Sequence, residues 1–205
     1  MDFTNFNEQT PLNTIYLELY KVANDILDKR LQYFSQSQYP VDIYQLASIY
    51  DIKIYEKYIP LSLDTHREVL GYLNTYSGKA IYLNTTTGQL TRRYTIAYNL
   101  AYYLFQGDNN TNFVHYFTNS ILPTDFKEQF CHILASFLLM PISSVIKLMS
   151  QYTAEHDSQP TFNSWLNYLG NAMGLPTCYV ATSFENIRTL HAFLAKEHIE
   201  FSQSK

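Results

Sequence analysis

Apolar residues recur at helical spacing near the start of the chain, at Ile15, Leu19, Val22, Ile26 and Leu27, with charged residues between them. Steps of three and four place such residues on one face, so the pattern predicts a helix over Asn13 to Phe34. Pro11 sits just ahead of it, as a helix start tolerates. Ser35 to Pro40 is a polar break, and Val41 to Tyr50 reads as a short helix with Asp42 near its N-terminus. From Ile52 to Tyr58 apolar and charged residues alternate, the pattern of a half-buried strand. Two more strands, Val69 to Thr75 and Lys79 to Asn84, flank Tyr76-Ser77-Gly78, a hairpin turn. Gly88 and Thr91 mark the entry to a helix over Thr91 to Gln106. It carries no charge from Tyr94 through Phe105, and a helix apolar all round is normally buried. Gly107 with Asp108-Asn109-Asn110 ends it.

Asn109 to Leu122 reads as a polar and aromatic loop. Pro123-Thr124-Asp125 looks like a helix start, with Thr124 as N-cap and Lys127 and Glu128 in the first turns. That helix is expected over Asp125 to Met140, stopping at Pro141, with another over Ile142 to Tyr152. Ala154 to Pro160 is the best linker candidate. Helices follow over Phe162 to Met173 and Tyr179 to Lys196, separated by Gly174-Leu175-Pro176. Within the second, Glu185 to Lys196 mixes charges with Ile187, Leu190 and Phe193 at helical spacing, an amphipathic face. The expected fold is α+β, mainly helical, around a small sheet of about three strands. It divides into an N-terminal helix over 1–40, a central domain over 41–153 and a C-terminal helical segment over 154–205 packed on that domain.

Composition narrows the function classes. A chain of 205 residues suits one domain, or one domain with a helical extension. The formal net charge of −4 provides no basic footprint for direct nucleic-acid binding. The 19 tyrosines dominate the aromatic share; codon usage in a low-GC genome accounts for most of them without a stacking function. Two cysteines far apart, Cys131 and Cys178, and a polar start without a secretory leader predict a reduced, cytoplasmic chain. No apolar run approaches a membrane span, and the sequon at Asn84-Thr85-Thr86 carries no weight in such a chain.

The chemistry concentrates in Arg92 to Phe105, RRYTIAYNLAYYLF. A zinc-peptidase helix of the HExxH type works because residues four apart share a face. Two imidazoles grip the metal and the intervening Glu acts as general base on its water. Here Tyr98, Asn99 and Tyr102 stand at those positions. The segment resembles the ImmA/IrrE family of metallopeptidase-like proteins, whose helix runs roughly R-x-F-T-(I/L)-A-H-E-(I/L)-G-H-x-L. Arg92, Tyr94, Thr95, Ile96, Ala97, Leu100, Ala101 and Leu104 follow its flanks. The next helix resembles the family's E-x-x-A-N-x-F-A-x-x-L-L-M-P through Glu128, Cys131, His132, Leu134, Ala135, Leu138, Leu139, Met140 and Pro141. Ala80-Ile81-Tyr82-Leu83-Asn84 is similar to the strand before the family's zinc helix, and Leu169 to Pro176 to its closing helical segment. The resemblance covers roughly Val41 to Leu190, and implies a zincin-like fold in which Glu128 occupies the third zinc-ligand position.

It also implies that the zinc chemistry is gone. A phenol binds zinc well only as phenolate, with a reference pKa of about 10, and Asn99 cannot accept and return a proton as Glu does. No zinc or other cofactor is therefore expected. Tyr98 and Tyr102 are expected to fill the former metal cavity, with hydroxyls bonded to Asn99, Glu128 or His132. Glu128 and His132, four apart, form with Cys131 or His115 the alternative of a relocated metal or thiol site; against it, Cys131 matches a small buried family position. His66, His156, His191 and His198 read as ordinary surface or interface histidines. Active members of the family cleave helix-turn-helix repressors in phage and mobile-element regulation. The resemblance implies an inactive member that binds a repressor or another protein through the old substrate groove, touching neither DNA nor membrane. Two other readings compete with it. One is an active hydrolase rebuilt around Glu128 and His132, and the other is an oligomerisation module with a tyrosine-rich surface.

Overall fold

The computed structural model describes residues 6, 9–34, 40–61, 67–76, 78–106, 112–118, 125–155 and 161–196. The fold is α+β and mainly helical, with a small mixed sheet. Helix α1 spans Leu12–Phe34 and α2 spans Ile43–Ile49; strands β1, β2 and β3 span Lys53–Lys57, Val69–Asn74 and Ala80–Asn84. Helix α3, Gln89–Gln106, leads to strand β4, Val114–Thr118, and then to α4 (Phe126–Leu139), α5 (Ile142–Glu155), α6 (Phe162–Met173) and α7 (Thr177–Lys196).

The sheet order is β1-β3-β2-β4. β2 runs antiparallel to β3, as a hairpin requires, and antiparallel to β4, while β1 is parallel to β3. The sheet therefore has four strands where three were expected. The fourth lies inside the stretch read as a loop. Its inward residues are His115 and Phe117, and its outward residues Val114 and Tyr116 are also large, so apolar–polar alternation is blurred. The Ser77 turn residue and most of the expected linker lie outside the described residues, but Ala154 and Glu155 of that linker are helical.

Local chemistry sets several boundaries. Asp42 caps α2 by accepting from the backbone N–H of Tyr44 and Gln45. Asp125 caps α4 through the N–H of Glu128, the role expected of Thr124, which lies outside the described residues. Aspartate's carboxylate is as good an acceptor as a threonine hydroxyl, and moving the cap by one residue suits it. Helix α3 starts two residues before Thr91, because Gln89 and Leu90 are both exposed and add nothing to a buried apolar period. Gly174 ends α6 in the left-handed region, φ 64°. Arg93 fastens this turn, donating from Nε to Gly174 O (3.0 Å) and from Nη2 to Val41 O (2.7 Å).

Helix α3 lies between the sheet and α4, which is why Tyr94 to Ala101 are all buried. Gly71 on β2 permits the close approach: a Cβ there would sit 2.7 Å from Thr95 Cγ2 and 2.7 Å from Tyr82 O. Helices α1 and α7 close over α4, burying Leu19, Val22 and Ile26 from one and Ile187, Leu190 and Leu194 from the other. Across this layer Tyr16 donates to Asn186 Oδ1 (2.8 Å), Asn186 to Ser136 Oγ (3.0 Å), and Ser136 to His132 O (2.7 Å). Asn84, the residue of the sequon, is 1 % exposed. Its Nδ2 donates to Ile59 O and Val69 O and its Oδ1 accepts from the N–H of Ile59 and Thr86, tying the segment after β1 to the end of β3. Among the described residues no single helix is long and apolar enough to cross a membrane; α4 and α5 reach that composition only as a pair bent by 56°.

Candidate functional site

Three elements bring the sequence-selected residues together. Helix α3 presents Tyr94, Tyr98 and Tyr102 at intervals of four, hence on one face. β4 presents His115 and Phe117 from the inner side of the sheet, and α4 supplies Lys127, Cys131 and His132. The result is a layered aromatic centre. Tyr102 stacks on His115 with centroids 3.5 Å apart and planes 7° apart. Tyr98 stacks on Phe117 at 4.1 Å, and has His115 at 5.7 Å and His132 at 4.9 Å. Tyr94 stacks on Tyr179 of α7 at 3.9 Å, with Phe117 6.1 Å away. Stacked pairs of this kind add about 0.5–1.5 kcal/mol each beyond the area they bury.

The polar partners differ from those expected. His132 Nδ1 bonds to Tyr94 Oη at 2.8 Å, whereas Asn99, Glu128 and His132 were expected to serve Tyr98 and Tyr102. One helical turn accounts for it: Tyr94 lies level with His132, and Tyr102 lies beyond it toward the start of α4. The Tyr102 hydroxyl accepts from Gln106 Nε2 (3.0 Å) and from Lys127 Nζ (3.2 Å). That ammonium also stands 4.7 Å over the Tyr102 ring and 5.4 Å over the Phe105 ring. Asn99 is wholly buried and turned back on its own helix, its Nδ2 donating to Thr95 O at 2.9 Å. Asn99 Oδ1 and His115 Nε2 are buried without a hydrogen-bond partner among the described residues.

Burial sets the charge states. It pushes the phenols of Tyr94 and Tyr98 far above the ordinary tyrosine range, so both keep their protons. Desolvation lowers His132 to about 4, against a partial upward pull from Glu128. Desolvation and then the Lys127 charge lower His115 to about 4 as well. The centre near neutral pH is thus two uncharged imidazoles, protonated phenols and one ammonium. The Cys131 thiol is fully buried and its pKa is raised well above the free value by desolvation, which makes it a poor nucleophile. Glu128 stands in the first turn of α4, where its charge acts on Tyr98, Cys131 and His132.

This donor set does not suit zinc. Tyr98 keeps its phenol proton, one His132 ring nitrogen is engaged by Tyr94, and the Lys127 ammonium already places a positive charge beside His115 and Tyr102. Among the described residues no three His, Cys, Asp or Glu side chains gather in a way that could hold a metal ion. Sequence reasoning did not single out Tyr94, Lys127, Phe117 or Tyr179 as parts of this centre. Tyr94 carried a signal in its i−4 position relative to Tyr98, whereas Phe117 lies in the strand whose alternation is blurred and Tyr179 comes from a helix 85 positions after Tyr94, which no local pattern reveals. His191 lies on the exposed side of α7; His66, His156 and His198 lie outside the described residues.

Comparison with protein-family models returns no match for this chain, and no curated protein matches it.

Proposed function

We propose that this chain is a metallopeptidase-like protein that binds a protein partner without cleaving it, acting in the cytoplasm in phage or mobile-element regulation. In this reading the fold is zincin-like, with α3 as the former zinc helix, β4 as the edge strand beside it and α4 as the helix of the third ligand. The observation that supports it most is the Tyr102–His115–Lys127 arrangement. Where hydrolysis needs a metal, a base and a water, there is a stacked ring pair covered by a fixed ammonium. Asn99 and the high phenol pKa values remove the proton acceptor as well. The rebuilt-hydrolase alternative has less support, because Cys131 is sealed in the core and His132 already bonds Tyr94.

The resemblance of Arg92 to Phe105 makes a helix-turn-helix repressor the first partner to try, taken from the genes beside this one. Purified protein and repressor, with and without added zinc, are followed by sedimentation and intact mass spectrometry. The expected result is a complex with the repressor intact in both conditions. Zinc-dependent cleavage of the repressor would sink the proposal.

A further inference from the structure

The outer face of the sheet carries one tyrosine from each strand in a single row. The order is Tyr55 (β1), Tyr82 (β3), Tyr72 (β2) and Tyr116 (β4), and each is the register partner of the next. Neighbouring ring centroids are 5.4, 4.7 and 5.3 Å apart, with interplanar angles of 27°, 16° and 44°. That spacing matches the distance between strands, about 4.8 Å. Rings so close cannot lie flat side by side on the sheet. They stand up and face one another, so their edges and hydroxyls form the solvent surface. Tyr55 and Tyr116 at the two ends are 46 % and 55 % exposed.

Most of what this face offers favours negative charge. Aromatic edges are the positive part of the ring quadrupole, and phenol hydroxyls donate hydrogen bonds. Lys53 and Lys57 flank Tyr55 on the same side of β1 and line an open recess of about 540 Å³ beside Tyr55 and Tyr82; Lys79 also borders it, with its ammonium engaged 4.7 Å over the Tyr103 ring. Two carboxylates reach the recess, Asp51 and Glu56, and Glu56 is held by Arg92 at 2.8 Å. The face is locally positive on a chain whose net charge is −4.

We propose that this face docks an acidic peptide segment of a protein partner, with carboxylates on the lysines and tyrosine hydroxyls. An extended peptide of about five residues spans the row. A single-stranded nucleic acid fits less well. Its bases stack on open ring faces, and here each inner ring has both faces covered by neighbours. The proposal is independent of what happens at the α3 centre.

The probe is a fluorescein-labelled oligoglutamate of about eight residues, read by fluorescence anisotropy against the full chain. Saturable binding is expected, weakening at least fivefold between about 50 and about 300 mM salt. Lys53→Glu with Lys57→Glu should weaken it by about tenfold or more, and the milder Tyr116→Ser, at an exposed edge position, by a few-fold, with unchanged circular dichroism. An oligoglutamine of equal length should bind at least tenfold more weakly. No saturable binding, equal affinity for oligoglutamine, or indifference to the charge reversal would overturn the proposal. Tighter binding of an oligothymidylate than of oligoglutamate would also overturn it, assigning the face to nucleic acid.

Discussion

Acid should unfold this protein through its two buried histidines. His115 and His132 have pKa values lowered to about 4 in the fold, against 6.5 unfolded, with burial the main cause at both. Between those values the unfolded chain binds more protons than the folded one. Stability from this source is therefore complete above about 6.5 and is lost as the pH falls toward 4. The whole gap corresponds to about 3.4 kcal/mol per histidine, and by pH 5 about 2 kcal/mol is already gone at each. The pair thus costs about 4 kcal/mol at pH 5, a large part of the ~5–15 kcal/mol that holds a domain together. The assay is urea denaturation followed by circular dichroism at about pH 7.5, 6 and 5, with the slope checked for constancy. His115→Phe keeps a ring against Tyr102 and removes the orphaned Nε2, so it should halve the loss without weakening the fold at pH 7.5. An unchanged urea midpoint between pH 7.5 and 5 would refute the argument. So would a His115→Phe variant that kept the whole pH dependence.

Three further outcomes follow from particular contacts. Asn84→Ala removes the side chain that joins Ile59, Val69 and Thr86 in a buried corner, and should cost about 2–4 kcal/mol in chemical denaturation; a loss under 0.5 kcal/mol would contradict the bonding described. Gly71→Ala drives a methyl into Tyr82 O and Thr95 Cγ2, and should destabilise by about 2 kcal/mol or more, read as a lowered thermal midpoint. A thiol reagent such as Ellman's should titrate one cysteine in the native protein, the exposed Cys178, and release the second equivalent from Cys131 only in denaturant.

Much of the helical frame was legible in the sequence because burial imposes a period. The stripe Ile15, Leu19, Val22 and Ile26 turns inward as expected, and the uncharged run is buried on all sides from Tyr94 to Ala101. The α2 boundary was readable from Asp42, a capping chemistry that acts over three residues. β4 escaped because period-2 alternation needs a polar outer face, and Tyr116 and Val114 are as large and apolar as the residues they alternate with. At the candidate centre, a meeting of Tyr98 and Tyr102 with His132 was expected, whereas His115 entered only as part of a relocated metal or thiol site, and the hydrogen-bond partners were not foreseen. Which hydroxyl reaches His132 depends on how α3 and α4 are offset along their axes. That offset is a tertiary feature, and it leaves no mark in either helix alone. Lys127 reads as an ordinary first-turn lysine until its neighbours Tyr102 and Phe105 are in place.

The bond between Tyr16 and Asn186 joins residues 170 positions apart, and through Ser136 it reaches the backbone of His132. Its consequence is temporal. Synthesis runs from α1 to α7, so α1 and α4 emerge from the ribosome well before the helix that covers them. Until α7 arrives, Tyr16 and Ser136 lack their bonds to Asn186, Tyr94 lacks the ring of Tyr179, and the apolar surface of α4 has no lid from that helix. Closure over such a sequence distance is slow compared with helix formation, and a chain waiting in that state exposes the surfaces on which aggregation begins. The docking of α7 is therefore a late step in folding, and chaperone access is most needed in the interval before it.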